Sequence, residues 1–596
     1  MLQYTHYMPS TTNQDIARIF YDIAAILELQ DADPFRVRAY NQAATVIEGL
    51  VEEARDIYRE DGLRGLEKIP SVGKELALKI EELVTTNELK FYRTLKKEVP
   101  HGLLNILEVE GIGPQKTKFV WKKFGVTTLK QLEHLCRGQK LQQQKGWGQK
   151  TVDTILHAIK LKQAFGTRKP LGLIYPLAFG IKTTLEKSGF ARRVVIAGSL
   201  RRMKEDVGDI DILATSQHPQ KLINVFAALP EVKDIKAKGE TKCTVFLKSG
   251  IDADLRVVAP DEFGAGLYYF TGSQQHNVRA RELAIKKGLT VNEYGIFRGT
   301  AEHHGKRVAA RTEAAIFRAL GLPYIPPELR EDRGEFDAAK ARALPHLIDY
   351  NDLQGDLHVH TSWSGDAHNT PLEMIRAAKA KGLKYIATTD HSSPLGMLKG
   401  IKTHNINKYI NDIRAAAAQV KGIRVLVGAE VDILPDGRPY LPDGALRQLD
   451  WVVASVHTAF RQSKEVMTKR VIRAIQNPYV SAIGHLTARI LGRREPTQVD
   501  VPEVCAAAKK YGAALEINAS WYRLDLNDVH CRAAKEAGVK LVMSTDSHDV
   551  DNFDFTFGVG TARRGWIEKK NVLNTLPFGK FIQSFRPRSP RPHGEI

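Results

Sequence analysis

Between Asp356 and His548 the chain repeats one phrase: a short apolar run that stops at histidine, aspartate or glutamate, followed by a helical stretch. The runs are Asp356-Leu357-His358-Val359-His360, Ala387-Thr388-Thr389-Asp390-His391, Val427-Gly428-Ala429-Glu430, Ala454-Ser455-Val456-His457, Ile483-Gly484-His485 and Ser544-Thr545-Asp546-Ser547-His548. An alternating βα rhythm with polar residues at successive strand ends predicts a (β/α) barrel whose site lies at the C-terminal face of its strands. One histidine at a strand end is more often a satisfied core residue. Six strands that end alike are hard to explain by packing, and a cluster of imidazoles and carboxylates is a metal-binding set.

A second constraint lies upstream, in GSLRRMKEDVGDIDIL at 198–213. Period-2 alternation puts Asp209 and Asp211 on one strand face and turns Ile210 and Ile212 to the core. Gly198 and Ser199 follow the apolar run Val194 to Ala197 as a small-residue turn whose N–H groups can cradle phosphate oxygens, with Arg201 and Arg202 beside it. A lone DxD is usually a solvated strand end, but the turn and the arginines reverse those odds. In a second strand, Ile251 to Val258, Asp252, Asp254 and Arg256 share a face and can supply a third carboxylate. Three carboxylates holding two metal ions suit in-line displacement on a nucleotide triphosphate.

The first third reads as helical. Apolar residues Ile16, Ile19, Phe20, Ile23, Ile26 and Leu27 share a helix face, and a second helix follows Asp33-Pro34. Two punctuated units come next: Val72-Gly73-Lys74 after Ile69-Pro70-Ser71, and Gly111-Ile112-Gly113 after Val109-Glu110. Each predicts a tight hairpin whose following helix offers free N–H groups to an anion, which holds a nucleic-acid backbone without reading sequence. Gly146-Trp147-Gly148 is a poorer third copy. The 87 Lys and Arg against 68 Asp and Glu, a formal +19, favour a polyanionic partner.

Residues 14 to 325 resemble a family X DNA polymerase, similar in layout to eukaryotic polymerase beta. The motifs run in order: RAYNQAATVI at 38–47, the two hairpins, GSLRRMKEDVGDIDIL, the run from Asp254, YYFTGSQQHNVRARELA from Tyr268 and LTVNEYGIF from Leu289. The resemblance implies that Asp209, Asp211 and Asp254 bind two Mg²⁺ (or Mn²⁺) ions, with Asp254 assisting deprotonation of the primer terminus. It implies that Ser199, Arg202 and Gly208 hold the triphosphate, and that Tyr269, Phe270 and Gly272 line the sugar. Asn277 would meet the base edge and Arg281 the template side. Val207 replaces a small polar residue of the animal enzymes, which removes one phosphate contact. The position matching the family's Schiff-base lysine is Lys79, while Lys74 fits the 5′-phosphate.

The runs from 355 to 572 resemble the PHP (polymerase and histidinol phosphatase) domain, a distorted seven-stranded barrel with three metal ions. Carried across, the ligands are His358, His360, Asp366, His391, Glu430, His457, His485, Asp546 and His548. The first motif usually reads SDG; here Ser364-Gly365-Asp366 moves the carboxylate by one place. Mixed imidazole and carboxylate ligation suits Mn²⁺ or Zn²⁺. A PHP domain fused to this polymerase half recurs in bacterial and archaeal family X enzymes, which implies 3′–5′ exonuclease activity and 3′-end or abasic-site processing.

The expected architecture is multidomain: α-helical helix-hairpin-helix domains, an α+β nucleotidyltransferase palm and a (β/α)7 PHP barrel. Residues 1–88 are expected to bind a 5′ end, 89–168 to form a second helix-hairpin-helix subdomain, 169–260 the palm and 261–325 the subdomain around the nascent base pair. A proline-rich, charged linker spans 326–350, the PHP domain 351–572 and a disordered basic tail that touches DNA 573–596. The four cysteines lack CxxC spacing and are expected to be reduced thiols. No apolar run is long enough for a bilayer and the N-terminus lacks a secretory pattern, so a cytoplasmic monomer acting on gapped or primed DNA and dNTPs is expected. The rivals are a template-independent nucleotidyltransferase and a small-molecule phosphatase fused to a DNA-binding module.

Overall fold

The computed structural model describes residues 13–48, 54–100, 102–107, 109, 112–138, 140–144, 146–149, 151–156, 159, 168–299, 304–394 and 400–584. The chain forms two compact units, Met1–Gly166 and Thr167–Ile596. Among the described residues no helix is long and apolar enough to cross a membrane, and all four cysteines are buried free thiols.

The first unit is helical. The apolar stripe of Asn13–Leu29 packs on Pro34–Glu48, and Lys74–Thr86 closes the same core through Ile80 and Leu83. That core also takes in Leu89, Leu95 and Val99, past the expected boundary at 88. A second core joins Ile106, Ile112, Val120, Leu132 and Trp147. Local signals set the helix ends: Pro114 is the first residue of Pro114–Phe124, Gly125 caps its C-terminus at φ +66°, and Thr128 with Gln131 forms a capping box.

The second unit opens with a five-stranded sheet in the order Ala191–Ile196, Asp209–Ser216, Asp252–Val257, Lys242–Leu247, Val232–Lys238. Asp209–Ser216 and Asp252–Val257 run parallel, and every other pair is antiparallel. Helices Leu171–Lys187 and Pro219–Ala227 share one apolar core with it. Helices Phe263–Thr271, Gln274–Ile285 and Glu313–Ala319 follow, with a three-stranded antiparallel sheet between the last two.

The barrel is a parallel seven-strand path, Gly355–Val359, Tyr385–Thr388, Arg424–Asp432, Trp451–Ser455, Ala482–Ile483, Ala514–Asn518 and Leu541–Ser544, with His391–Ser392 as an extra rung on the third. A parallel bridge from Val359 to Ser547 brings last and first together. Its lower end is stoppered by Phe581, fully buried and stacked at 5.2 Å on Tyr385. The expected tail is therefore structured through Leu573–Thr575 and Phe578–Ser584, because its aromatics complete the barrel core. The basic stretch 585–596 lies outside the described residues.

The stretch 326–350 is likewise not a solvated linker. Leu329 and Phe336 join the core of Tyr268 and Phe317. Prolines and charges mark a linker only when the charges lack partners. Here buried Arg330 pairs with Glu313, and buried Glu335 accepts the N–H groups of Asp332 and Arg333. Glu328 meets Arg563 at 2.7 Å, and Glu331 accepts from Arg202 at 2.9 Å and Arg564 at 2.8 Å. Burial alone would raise the Glu331 carboxyl, but Arg564 and Arg202 outweigh it and hold it at about 2. A depressed carboxylate contributes stability that is complete above its unfolded value near 4.5 and fades as pH falls toward 2. Melting temperature should fall across that window, and Glu331→Gln should flatten the fall while lowering stability at neutral pH; an unchanged acid limb would refute the assignment.

Two candidate metal-dependent sites

The first site grows from strand register. Asp209 pairs with Asp252 and Asp211 with Asp254, so the carboxylates stack along one face. Asp252 is drawn aside by Lys236 at 2.6 Å. Asp254 accepts from the Thr244 hydroxyl and lies 3.8 Å from Lys242. Asp211 and Asp254 line a small cavity that Arg256 and Phe270 also wall. Gly198 sits at φ +60°, and a Cβ there would lie 1.9 Å from Asp211 Oδ2, so glycine is required twice over. Burial first, then Asp209 and Asp254, push the Asp211 carboxyl up to about 7; burial and Asp254 raise Asp209. Three carboxylates this close, whose burial and like charges raise Asp209 and Asp211 despite the nearby arginines, fit divalent ions.

Around them, Ser199 Oγ is buried without a hydrogen-bond partner. Arg201 turns away and is bound by Glu313 at 2.7 Å. Arg202 donates to Glu331 and, at 2.8 Å, to the Thr271 carbonyl. Gly208 is approached by Arg168, which pairs with Asp206 at 2.7 Å. Val207 is buried in a two-residue strand. Tyr269 and Phe270 lie in the last turn of Phe263–Thr271, and Gly272 caps it. A Cβ on Gly272 would fall 2.5 Å from Asn277 Oδ1, whose amide donates to the Tyr269 carbonyl at 2.7 Å. Arg281 is exposed one turn on and donates to the Asn277 carbonyl at 3.3 Å.

The second site converges on Glu430. Its carboxylate lies 2.8 Å from His391 Nδ1, 2.9 Å from His485 Nε2, 3.3 Å from His457 Nε2 and 3.5 Å from His358 Nε2. Asp546 lies 3.2 Å from His360 Nε2. Four overlapping groups of three ligand atoms each fall within 4.8 Å, and His548 belongs to one of them. His358 Nε2, His360 Nε2, His391 Nδ1, both Glu430 oxygens and both His485 nitrogens are buried without hydrogen-bond partners. Buried imidazole nitrogens and carboxylate oxygens converging without hydrogen-bond partners fit a metal-ligand set. Asp366 does reach the cluster, 3.1 Å from His391 Nε2 and 3.6 Å from His548 Nε2. Gly365 at φ +85° makes this possible, since Ser364 is turned inward to Asp390.

A surrounding shell escaped the sequence reading. Glu516 holds His358 Nδ1 at 2.7 Å, Ser364 Oγ lies 2.9 Å from His360 Nδ1, and Asp432 holds His457 Nδ1 at 2.6 Å. Each contact fixes a ring and leaves Nε2 for the centre. Burial first, then His548 and His391, hold His360 well below the usual histidine range, the neutral form that ligates. Glu516 lies mid-strand on Ala514–Asn518, a strand outside the six runs read from the sequence.

In the helical unit, Gly73 and Gly113 are helix N-caps at φ −81° and −83°. Nothing lies within 4 Å of a Cβ at either. Val72 and Ile112 are buried beneath, and Lys74 is exposed at its helix start. Gly111 lies outside the described residues. Lys79 Nζ is 2.7 Å from Glu75 and 5.2 Å from the centre of the Phe91 ring. Gly113→Val suits the extended backbone and should cost about 0.5–1 kcal/mol as a poorer cap. It should weaken binding of gapped DNA about fivefold or more by blocking phosphate approach; unchanged anisotropy titrations would remove Gly113 from the interface.

Three family models match: a helix-hairpin-helix domain over residues 11–89, DNA polymerase beta thumb over 266–331 and PHP domain over 356–520. The chain is 34% identical over 579 residues to the DNA polymerase/3′-5′ exonuclease PolX of Bacillus subtilis, covering 97% of this chain and 99% of that one. A probable phosphatase of Thermoanaerobacter is 33% identical over 253 residues, 40% of this chain and 97% of its own length. A probable phosphatase of Clostridium acetobutylicum is 30% identical over 212 residues, 33% of this chain and 82% of its own. The phosphatases match a minor part of the chain and the polymerase nearly all of it, and on that full-length likeness the chain belongs to the PolX family of DNA polymerase/3′-5′ exonucleases.

Proposed function

We infer that this protein is a DNA-directed DNA polymerase that fills short gaps in repair, and that its barrel is a 3′–5′ exonuclease that processes 3′ ends. The observation that carries the reading is the parallel register of Asp211 with Asp254, which gathers three carboxylates beside a glycine-serine turn. In this reading Asp209, Asp211 and Asp254 hold two Mg²⁺ or Mn²⁺ ions. Bound there, the ions neutralise charge on the triphosphate and lower the pKa of the primer hydroxyl. Ser199, Gly208 and Arg202 orient the triphosphate. Asp254 receives the proton of the 3′-hydroxyl, while Tyr269, Phe270 and Gly272 place the sugar. Asn277 meets the base edge and Arg281 the template. The exposed faces at Gly73, Lys74 and Gly113 grip the DNA backbone, and Lys79 is the residue proposed for lyase chemistry on a 5′-deoxyribose phosphate.

In the barrel the nine ligands would hold a cluster of Mn²⁺ or Zn²⁺, three ions as the PHP likeness implies, and the overlapping ligand groups around Glu430 support a cluster over a single ion. Glu516, Ser364 and Asp432 keep the imidazoles aimed. The phosphatase reading rests on the barrel alone, and the full-length likeness weighs against it. A monomer acting in the cytoplasm completes the proposal. The test is extension across a short gap with each template base, beside degradation of a single-stranded 3′ end in competition with a phosphomonoester. Template-blind incorporation would overturn the polymerase assignment. Preference for the monoester would overturn the exonuclease one.

A further inference from the structure

We propose that two arginines of the barrel, Arg489 and Arg564, are positioning residues for the polymerase site, because they lock the segment Ser199–Gly208 that carries the phosphate grip. The proposal rests on the nucleotide-transfer reading of Asp209, Asp211 and Asp254.

The segment has little to hold it from its own sheet. Only Asp206 and Val207 pair with another strand, Lys169–Pro170. Its middle residue, Met203, sits at φ +53°, a conformation that a non-glycine residue keeps only where its surroundings over-determine it. Those surroundings are the palm core, which takes in Leu200, Met203 and Val207, and the barrel packed against it. A Cβ on Gly560 would come within 2.7 Å of Met203, so a glycine in the barrel helix Thr556–Arg564 is what lets Met203 seat.

On one side of Met203, Arg489 donates two hydrogen bonds to Glu205, at 3.2 and 2.7 Å. The same guanidinium donates to the Arg523 carbonyl at 2.9 Å and to the Leu524 carbonyl, so it has no freedom of its own. On the other side, Arg564 donates to the Arg202 carbonyl at 3.0 Å and to Glu331 at 2.8 Å. Glu331 Oε1 also accepts from Arg202 at 2.9 Å. Two guanidinia therefore share one oxygen. Asp528 takes the far edge of Arg564 at 2.9 Å and Arg333 at 3.0 Å.

The charges explain why this matters for a triphosphate. Three arginines, Arg202, Arg333 and Arg564, stand against two carboxylates, Glu331 and Asp528. Without Arg564, Glu331 and Arg202 would close into a neutral pair and Arg202 would be lost to an incoming anion. With it, the group keeps an excess positive charge next to Ser199.

The test uses the full chain. In Arg564→Gln and in Glu205→Gln the KM for dNTP on a one-nucleotide gap should rise about tenfold, with kcat changed less than about threefold. Arg564→Lys should recover part of the loss, since it restores the charge without the fork. Exonuclease rate on single-stranded DNA is read on the same preparations and should stay within about twofold of wild type. A dNTP KM unchanged in both variants overturns the proposal, as does an equal loss of extension and exonuclease. Asp211→Asn run alongside separates the two levels: if it still extends primers, the nucleotide-transfer reading itself has failed.

Discussion

Asp211→Asn should abolish nucleotide incorporation, by at least about a thousandfold, while DNA binding and exonuclease stay near wild type. The side chain keeps its shape, so the change is one of charge. Asp211 is the innermost of the three carboxylates: it lies under the Gly198 turn, where no larger residue fits, and faces both Asp209 and Asp254. An amide there leaves two carboxylates on neighbouring strands to hold what three held, with one fewer negative charge to bind dications. Stability should move the other way. Burial and like charge already work against the ionised group, so the metal-free variant should melt no lower than metal-free wild type. The assay is single-turnover extension on gapped DNA with Mg²⁺ and then Mn²⁺, beside anisotropy titration and calorimetry. Retained incorporation would move the chemistry elsewhere. A parallel loss of exonuclease would show that the two halves do not act independently.

Much of both sites was legible because period 2 is a strong constraint. Alternation placed Asp209 with Asp211 and Asp252 with Asp254, and the parallel register then brought Asp211 against Asp254. What alternation could not give was which strand runs beside which, or that Lys236 would draw off Asp252. The barrel was legible because six apolar runs end in ligands, while Asp366, in the loop after the first strand, came only with the resemblance. Glu516 was not, because it is mid-strand and acts through His358.

What stayed out of sight was the partner of each charge. Arg202 was read as a triphosphate ligand, and nothing in the sequence signalled that it is also bound by Glu331, 129 residues on. The stretch from Pro326 looked like a solvated linker because its arginines and glutamates carry no sign of what they meet. In the fold they meet Glu313, Arg202, Arg563 and Arg564. Long-range ion pairs have no periodicity, so neither the ordered join between palm and barrel nor its dependence on the barrel arginines was visible before the structure. The tail differs in kind: Phe578 and Phe581 were in plain view, but the basic residues behind them set the expectation.

Glu430→Gln should remove the exonuclease, by at least about a thousandfold, and leave extension within about twofold of wild type. Four imidazoles lie within 3.5 Å of its two oxygens, and both oxygens lack hydrogen-bond donors. A carboxylate so placed can bridge ions; an amide offers one oxygen and turns N–H groups toward imidazole nitrogens that must stay free. The loss should therefore appear first as metal content, measured on the purified protein, and second as rate. His358→Ala with His360→Ala should give the same phenotype at greater cost in stability, since it opens space in a buried cluster whose shell, Glu516 and Ser364, would lose its partners. Asp366→Asn should be milder, as Asp366 is the most exposed of the ligands near His391 and His548. An exonuclease unchanged in Glu430→Gln would place degradation at another site, and metal retained with activity lost would make Glu430 a participant in the reaction beyond its place in the cluster.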